Sequence, residues 1–354
     1  MTALVRCDAY DEGSVRAAID RLFSLIGGVE ELVRGKTVTV KPNLLLPRSP
    51  EDATTTHPQV LRAVVLALFD AGAKSITVAE SCGGVYTDAV LRKLYHACGI
   101  EQCLADTRAV LNYDLSVKTL KNPTAKKMKS AQVLAPIADA DVVVSIGKMK
   151  THGLTGMTGA SKNLYGVLPG LVKPMLHGRY SRVNAFCEML VDLCEMVKPS
   201  LSILDGIVGM EGEGPSAGTP IHAGVLIGGT NCYAVDTVAC EVMGLSAKSM
   251  PLLKAANARG VVAQEEALGD EIPHYRFLPA GKNWLMPAVA RFFATYPRIT
   301  RRCVGCGDCV RICPQKALKI EGKRAVLQKN MCIKCYCCHE MCPIRAITTN
   351  RLKG

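Results

Sequence analysis

The stretch Cys303-Val304-Gly305-Cys306-Gly307-Asp308-Cys309-Val310-Arg311-Ile312-Cys313-Pro314 recurs 29 residues later as Cys332-Ile333-Lys334-Cys335-Tyr336-Cys337-Cys338-His339-Glu340-Met341-Cys342-Pro343. The two copies align without a gap as Cys-x2-Cys-x2-Cys-x3-Cys-Pro, and an internal duplication is the simplest account. Three closely spaced thiolates on a tight loop can wrap one corner of an iron–sulfur cube while a distant cysteine completes the set of four. Zinc also takes CxxC pairs, but eight cysteines in two such runs exceed and mismatch ordinary zinc-ribbon spacing.

The spacing resembles that of bacterial two-cluster ferredoxins over about 50 residues. That resemblance implies two [4Fe–4S] clusters with crossed ligands. Cys303, Cys306, Cys309 and Cys342 would hold one, and Cys332, Cys335, Cys338 and Cys313 the other. Cys337 aligns with Asp308 rather than with a ligand, and is expected as a spare thiol beside the second cluster.

Seventeen cysteines in 354 residues would suggest disulfides in a secreted chain, yet nine fall within residues 303–342. Arg6, Asp8, Asp11 and Glu12 precede any apolar stretch, which argues against a secretory signal, so a cytoplasmic, reducing and oxygen-poor setting is expected. The longest apolar run, Ala63–Phe69, is far too short to span a membrane. The remaining cysteines, Cys7, Cys82, Cys98, Cys103, Cys187, Cys194, Cys232 and Cys240, form no CxxC pair and read as small buried hydrophobes.

Of the formal charge of +12, residues 301–354 contribute +9, from twelve Lys and Arg against three acids. A basic electron-transfer tail steers toward an acidic redox protein or an anionic small molecule. Nucleic acid fits less well, because Tyr336 is the tail's only aromatic residue.

Upstream, strand-like runs at Thr37–Val40, Ser75–Ala79, Val142–Ile146, Ser202–Leu204 and Gly224–Ile227 alternate with helical patterns. The order predicts an α/β domain with a mostly parallel sheet, followed by a small α+β ferredoxin-like domain. Helices are expected after the Thr54-Thr55-Thr56 hydroxyls, over Val183–Val197 and over Tyr233–Met243. The expected division is an α/β domain over 1–272, a proline-rich linker with a short docking helix over 273–300, and the cluster domain over 301–354.

Lys41-Pro42-Asn43, Thr55-Thr56-His57-Pro58, Glu80-Ser81-Cys82-Gly83-Gly84, Lys148-Met149-Lys150-Thr151-His152-Gly153 and the glycine-rich Asp205–Pro215 segment read as marked turns. Together they resemble the domain-of-unknown-function 362 family, a prokaryotic group often fused to such a tail. A more distant similarity is to the N-terminal domain of nickel-pincer lactate racemase. That likeness implies a cofactor-linked lysine at Lys162 within Gly159–Lys162, then Pro169-Gly170 and a nickel-ligating His177. It further implies proton-transfer histidines at His152 and His57. The chain departs from that pattern by inserting Asn163-Leu164-Tyr165-Gly166 and by carrying iron–sulfur ligands.

Read without any family, Lys148, Lys150, His152 and Lys162 gather around Gly153, Gly156 and Gly159 beyond a strand, where backbone N–H and ammonium groups can approach an anion. Lys41 and Asn43 join that candidate site, and Asp205, Glu211 and Glu213 flank a glycine-rich turn able to reach a ligand or a divalent cation. No Walker A sequence and no GxGxxG after a first strand are present, so any cofactor beyond the clusters stays unnamed, flavin included. Three functions follow from this reading. One is an iron–sulfur oxidoreductase whose tail relays electrons to a ligand held by Lys150, His152, Lys162 and His177. Another is a non-catalytic electron carrier or cofactor-maturation factor. The last is a racemase-like isomerase.

Overall fold

The computed structural model describes residues 1–280 and 296–349. The expected docking helix, around Val289–Phe293, lies outside them. In the first 280 residues, strands order as Leu268–Gly269, Thr2–Arg6, Thr219–Gly229, Leu201–Glu211, Val142–His152, Thr37–Pro42, Ser75–Val78 and Val110–Leu111, with Gly156–Met157 folded back on the 142–152 strand. The half from Leu201–Glu211 to Val110–Leu111 is parallel throughout, while Thr219–Gly229 pairs antiparallel with both its neighbours. An α/β domain on a mostly parallel sheet is therefore what these residues form.

Helices cover both faces, which explains why the central strands read as continuous apolar runs. One face is sealed by Val15, Ile19 and Leu22 of the Glu12–Leu25 helix and Val60, Val64 and Leu68 of the Pro58–Asp70 helix. The other is sealed by Phe186 and Leu190 of the Val183–Val197 helix and by Val235 and Val242 of the Cys232–Val242 helix. Seven of the eight dispersed cysteines are buried here, all but Cys103.

Two local expectations differ from the structure. The strand predicted over Val142–Ile146 runs on to His152, so Lys148, Lys150 and His152 sit on a strand rather than on a loop. The Pro58–Asp70 helix is capped by His57, whose Nδ1 accepts from Gln59 N at 3.3 Å. Thr56 is otherwise engaged, its hydroxyl donating to Ile146 O (2.8 Å) and accepting from Asn43 N (2.9 Å). Both differences arise because tertiary partners reach these residues, which no local pattern reveals.

The cysteine-rich tail pairs Arg298–Ile299 with Ile347–Thr348 and Leu318–Glu321 with Arg324–Leu327, and adds the short helices Asp308–Ile312 and Cys337–Glu340. It rests on the carboxyl ends of the parallel strands. Arg345 pairs with Asp52 at 2.8 Å, Arg48 donates to Cys342 O at 3.2 Å, Ser216 donates to Glu340 O at 2.7 Å, and Glu213 accepts from Thr349 N at 3.0 Å.

The short Gly159–Asn163 helix, which carries Lys162, is anchored from behind. Asp236, fully buried, accepts from Ala160 N (2.5 Å), Ser161 N (3.1 Å) and the Ser161 hydroxyl. A side chain at Gly159 (φ 60°) would collide with this carboxylate, so the glycine is needed for the approach. Asp236→Ala should cost about 2–4 kcal/mol by leaving these donors buried and unmade, with Asp236→Asn milder, as read from urea denaturation midpoints.

Candidate functional site

Where the tail meets the sheet lies a cavity of about 70 Å³. Its floor comes from the strand ends that carry Lys41, Asn43, Glu80 and Lys150, one side from Lys162, Asn163 and Tyr165, another from Lys173 and His177, and its roof from Cys337, Glu340 and Met341 of the tail. Open parallel sheets place ligands at this edge because side chains and loops converge there without disturbing the core.

Four ammonium groups approach this cavity. Lys41 Nζ donates to Glu80 Oε2 (2.7 Å), Pro42 O (2.7 Å) and Asn163 Oδ1 (3.0 Å), so its charge is matched. Among the described residues Lys150 meets only neutral acceptors, Asn43 Oδ1 (2.8 Å) and Thr54 O (2.6 Å). Burial, helped by the nearby Lys162, pushes Lys150 well below the ordinary lysine range. Lys173 likewise donates to Ser81 O, Ser81 Oγ and Leu168 O at 2.7–2.9 Å, and burial lowers it to about 8.

Lys162 is 9 % exposed and, among the described residues, its ammonium makes no hydrogen bond or ion pair. The nearest group is the Tyr165 ring, whose centroid lies 6.0 Å from Nζ. Burial lowers its pKa, offset in part by Glu340 and Cys337.

His152 and Glu340 join strand to tail, with Nε2 3.1 Å from Oε1. Nδ1 of His152 accepts from Leu154 N (3.0 Å) and Thr155 N (3.4 Å), which fixes the neutral tautomer with its proton on Nε2, facing Glu340. Burial, reinforced by Lys162, lowers His152 to about 4. Burial would raise Glu340, but His152, Lys162 and His177 outweigh it and hold the carboxyl low. A neutral imidazole thus faces an ionised carboxylate at 3.1 Å without the alignment of a hydrogen bond. His177 stacks on Phe186 (centroids 4.3 Å apart) and meets the edge of Tyr165 at 5.6 Å, and burial lowers it to about 3.

The sequence-derived candidates divide into two groups. Lys41, Asn43, Lys150, His152, Lys162 and His177 come together around or beside the cavity. His57, Lys148 and Asp205 form a separate buried cluster: Lys148 Nζ donates to Asp205 Oδ2 (2.7 Å) and to Tyr10 OH (2.8 Å), Tyr10 donates to Asp205 Oδ1 (2.9 Å), and His57 stacks on Tyr10. Glu211 accepts from Leu278 N at 2.8 Å and Glu213 holds the tail, so neither faces the cavity. Gly156 and Gly159 serve turns with φ of 84° and 60°. Glu80, Lys173, Glu340 and Cys337 were not among the candidates. Glu80 and Lys173 adjoin marked turns, whereas nothing in the sequence sets Glu340 apart within its cysteine run.

In the tail, Cys303, Cys306, Cys309 and Cys342 line one small cavity. Backbone amides donate to thiol sulfurs at Cys313 (Ala317 N, 3.2 Å), Cys342 (Ala346 N, 3.1 Å), Cys303 (Ala325 N, 3.3 Å) and Cys332 (Lys334 N, 3.4 Å). Thiolates that share charge with iron require such donors, so the residues fit iron–sulfur ligation. The 29-residue repeat is visible in the backbone too. Gly305, Gly307 and Lys316 adopt positive φ, as do their counterparts Lys334, Tyr336 and Arg345.

Residues 38–241, more than half of the chain, match the domain of unknown function DUF362. The chain belongs to the DUF362 family. Residues 302–346 of this DUF362 protein match a 4Fe–4S dicluster domain, and a ferredoxin of Methanothermococcus thermolithotrophicus is 38% identical over 50 residues, 13% of this chain and 83% of the ferredoxin. Its tail is accordingly an iron–sulfur electron-transfer domain. A thylakoid-associated protein of Synechocystis is 29% identical over 293 residues, 81% of this chain and 88% of that protein. The lactate racemase apoprotein of Thermoanaerobacterium thermosaccharolyticum aligns with a TM-score of 0.46 at 15% identity over 69% of this chain, which spans only 57% of the racemase. That is too loose a likeness to bear on activity. No helix among the described residues is long and apolar enough to cross a membrane.

His57, His152 and His177 stay neutral in the fold down to about 4, 4 and 3 respectively, because of burial, whereas imidazoles of an unfolded chain protonate below about 6.5. Below that point the unfolded state binds more protons, so stability should fall as pH drops from about 6.5 toward 4. Anaerobic thermal midpoints at pH 7 and pH 5 should differ by less in His177→Gln than in the parent.

Proposed function

We propose that this protein is an iron–sulfur oxidoreductase that exchanges electrons with a small anionic ligand held between the sheet and the tail. The observation that carries the reading is Lys162, a buried ammonium with no ion pair or hydrogen bond among the described residues, facing a cavity roofed by Cys337 and Glu340. Beside it, Lys150 and Lys173 meet only neutral acceptors among the described residues, so three lysine amines converge where Glu80 pairs with Lys41 and Glu340 faces His152. Leaving them unneutralised is costly, and an incoming anion relieves that cost.

Two [4Fe–4S] clusters, bound by Cys303, Cys306, Cys309 and Cys342 and by Cys332, Cys335, Cys338 and Cys313, would each supply one-electron transfer. Lys162 and Lys150 would hold the anion, Lys173 would support the Ser81 turn, and His152 would hold a proton at Nε2 beside it. The helix roofing the cavity, Cys337–Glu340, carries Cys338 and follows Cys335, so these two members of the second set would lie next to the bound anion. Cys306, on the other set, is exposed and accompanied by the exposed Arg302, Arg311 and Lys323, a face suited to an acidic carrier protein that supplies or removes the electrons.

After anaerobic reconstitution, about eight iron and eight sulfide per chain are expected. Lys162→Met should retain them and its bleaching by dithionite, yet bind acetate at least tenfold more weakly by anaerobic calorimetry. Unchanged acetate binding in that variant, or none in the parent, would remove the basis for the reading and favour a plain electron carrier.

A further inference from the structure

Next to the inner cavity lies an outer groove of about 350 Å³. The two share Ile312 and Met341 as common walls, and the chain passes directly from one to the other at Leu45-Leu46 and Gly83-Gly84. The Met341 side chain rests against Gly83, close enough that any side chain at that position would strike its sulfur. The flexible Met341 thioether stands between the two spaces beside the backbone pair Gly83 N–Leu45 O (3.1 Å), and such a side chain moves between rotamers readily.

The two spaces have opposite chemistry. The inner one is small and ringed by ammonium groups. On a scale where one water needs about 10–15 Å³, it admits a group of roughly five heavy atoms. The outer one is five times larger and mainly apolar, lined by Leu46, Pro47, Val85, Val90, Leu171 and Pro343, with Lys93 and Arg311 also on its wall. Val85 and Leu171 are 47% and 42% exposed, more than isolated side chains need when a sheet-end loop can fold them inward.

We infer that the ligand is an amphiphilic anion, a carboxylic acid whose head enters the Lys150–Lys162 cavity and whose aliphatic chain lies in the groove beyond Met341. This rests on the anion reading above and adds the class of molecule. The head alone fills the inner space, so any larger substituent must leave it, and the apolar groove past Met341 is where it goes. Ser81, within the marked turn, lines the inner cavity and accepts from Lys173 Nζ at 2.9 Å.

The test compares acetate with octanoate by anaerobic calorimetry on the cluster-loaded chain. Each methylene buried contributes about 0.8 kcal/mol, close to fourfold in affinity, so octanoate should bind at least 50-fold more tightly. Val85→Asp and Leu171→Asp, both at exposed positions, should weaken octanoate at least tenfold while leaving acetate within twofold. Acetate binding with no gain for octanoate, or a gain untouched by both variants, overturns the amphiphile and leaves the anion site standing. Failure of both acids to bind overturns the two together.

Discussion

The structure turns on an uncompensated charge. Of the four lysines buried around the cavity at the carboxyl end of the parallel sheet, Lys41 alone has a carboxylate on it among the described residues, Glu80 at 2.7 Å. Removing an ion from water costs several kcal/mol even after relaxation, so an ammonium such as Lys162 is a burden the fold bears elsewhere. What bears it is the extensive apolar packing on both sheet faces, together with Asp236 behind the Lys162 helix. The carboxylate of Glu340, brought by the tail, partly offsets the field. Sheet and tail are thus electrically interdependent: without the tail, His152 and Lys162 would face water and lose both their shifted character and their cavity.

Much of this was legible in the chain, for identifiable reasons. Metal ligands announce themselves because their spacing is dictated by a rigid inorganic core, and the 29-residue repeat doubles the signal. The parallel strands announce themselves because burial on both faces demands unbroken apolar runs. Lys150, Lys162 and His177 stood out through their glycine neighbours and a family likeness. What stayed hidden depends on distant segments meeting. Glu340 acquires meaning only when it arrives opposite His152, nearly 190 residues away in sequence, and Asp205 and Lys148, read as ligand groups, instead satisfy one another through Tyr10. Periodicity cannot distinguish a lysine awaiting an anion from one that has found its aspartate.

The two polar clusters show this contrast side by side. Around Lys148 the charge is matched, the carboxylate of Asp205 accepting from Lys148, from Tyr10 and from His57 N (2.9 Å), which ties the strands to the start of the Pro58–Asp70 helix. Around Lys162, a few residues along the same surface, the inventory is incomplete. The difference between the two clusters is visible only atom by atom.

The duplicated tail carries a record of its own docking. Where the first half has Gly305 and Gly307, the second has Lys334 and Tyr336, held at φ of 57° and 64° in a region that disfavours side chains. The Tyr336 ring lies over Gly153, at the end of the strand that bears Lys150 and His152. One half of an originally symmetrical module has therefore exchanged backbone ease for a contact surface, while its twin kept the glycines and its exposure to solvent. The two halves have become non-interchangeable. A ferredoxin tail grafted from elsewhere would preserve the cysteine spacing and still lack the roof of the cavity.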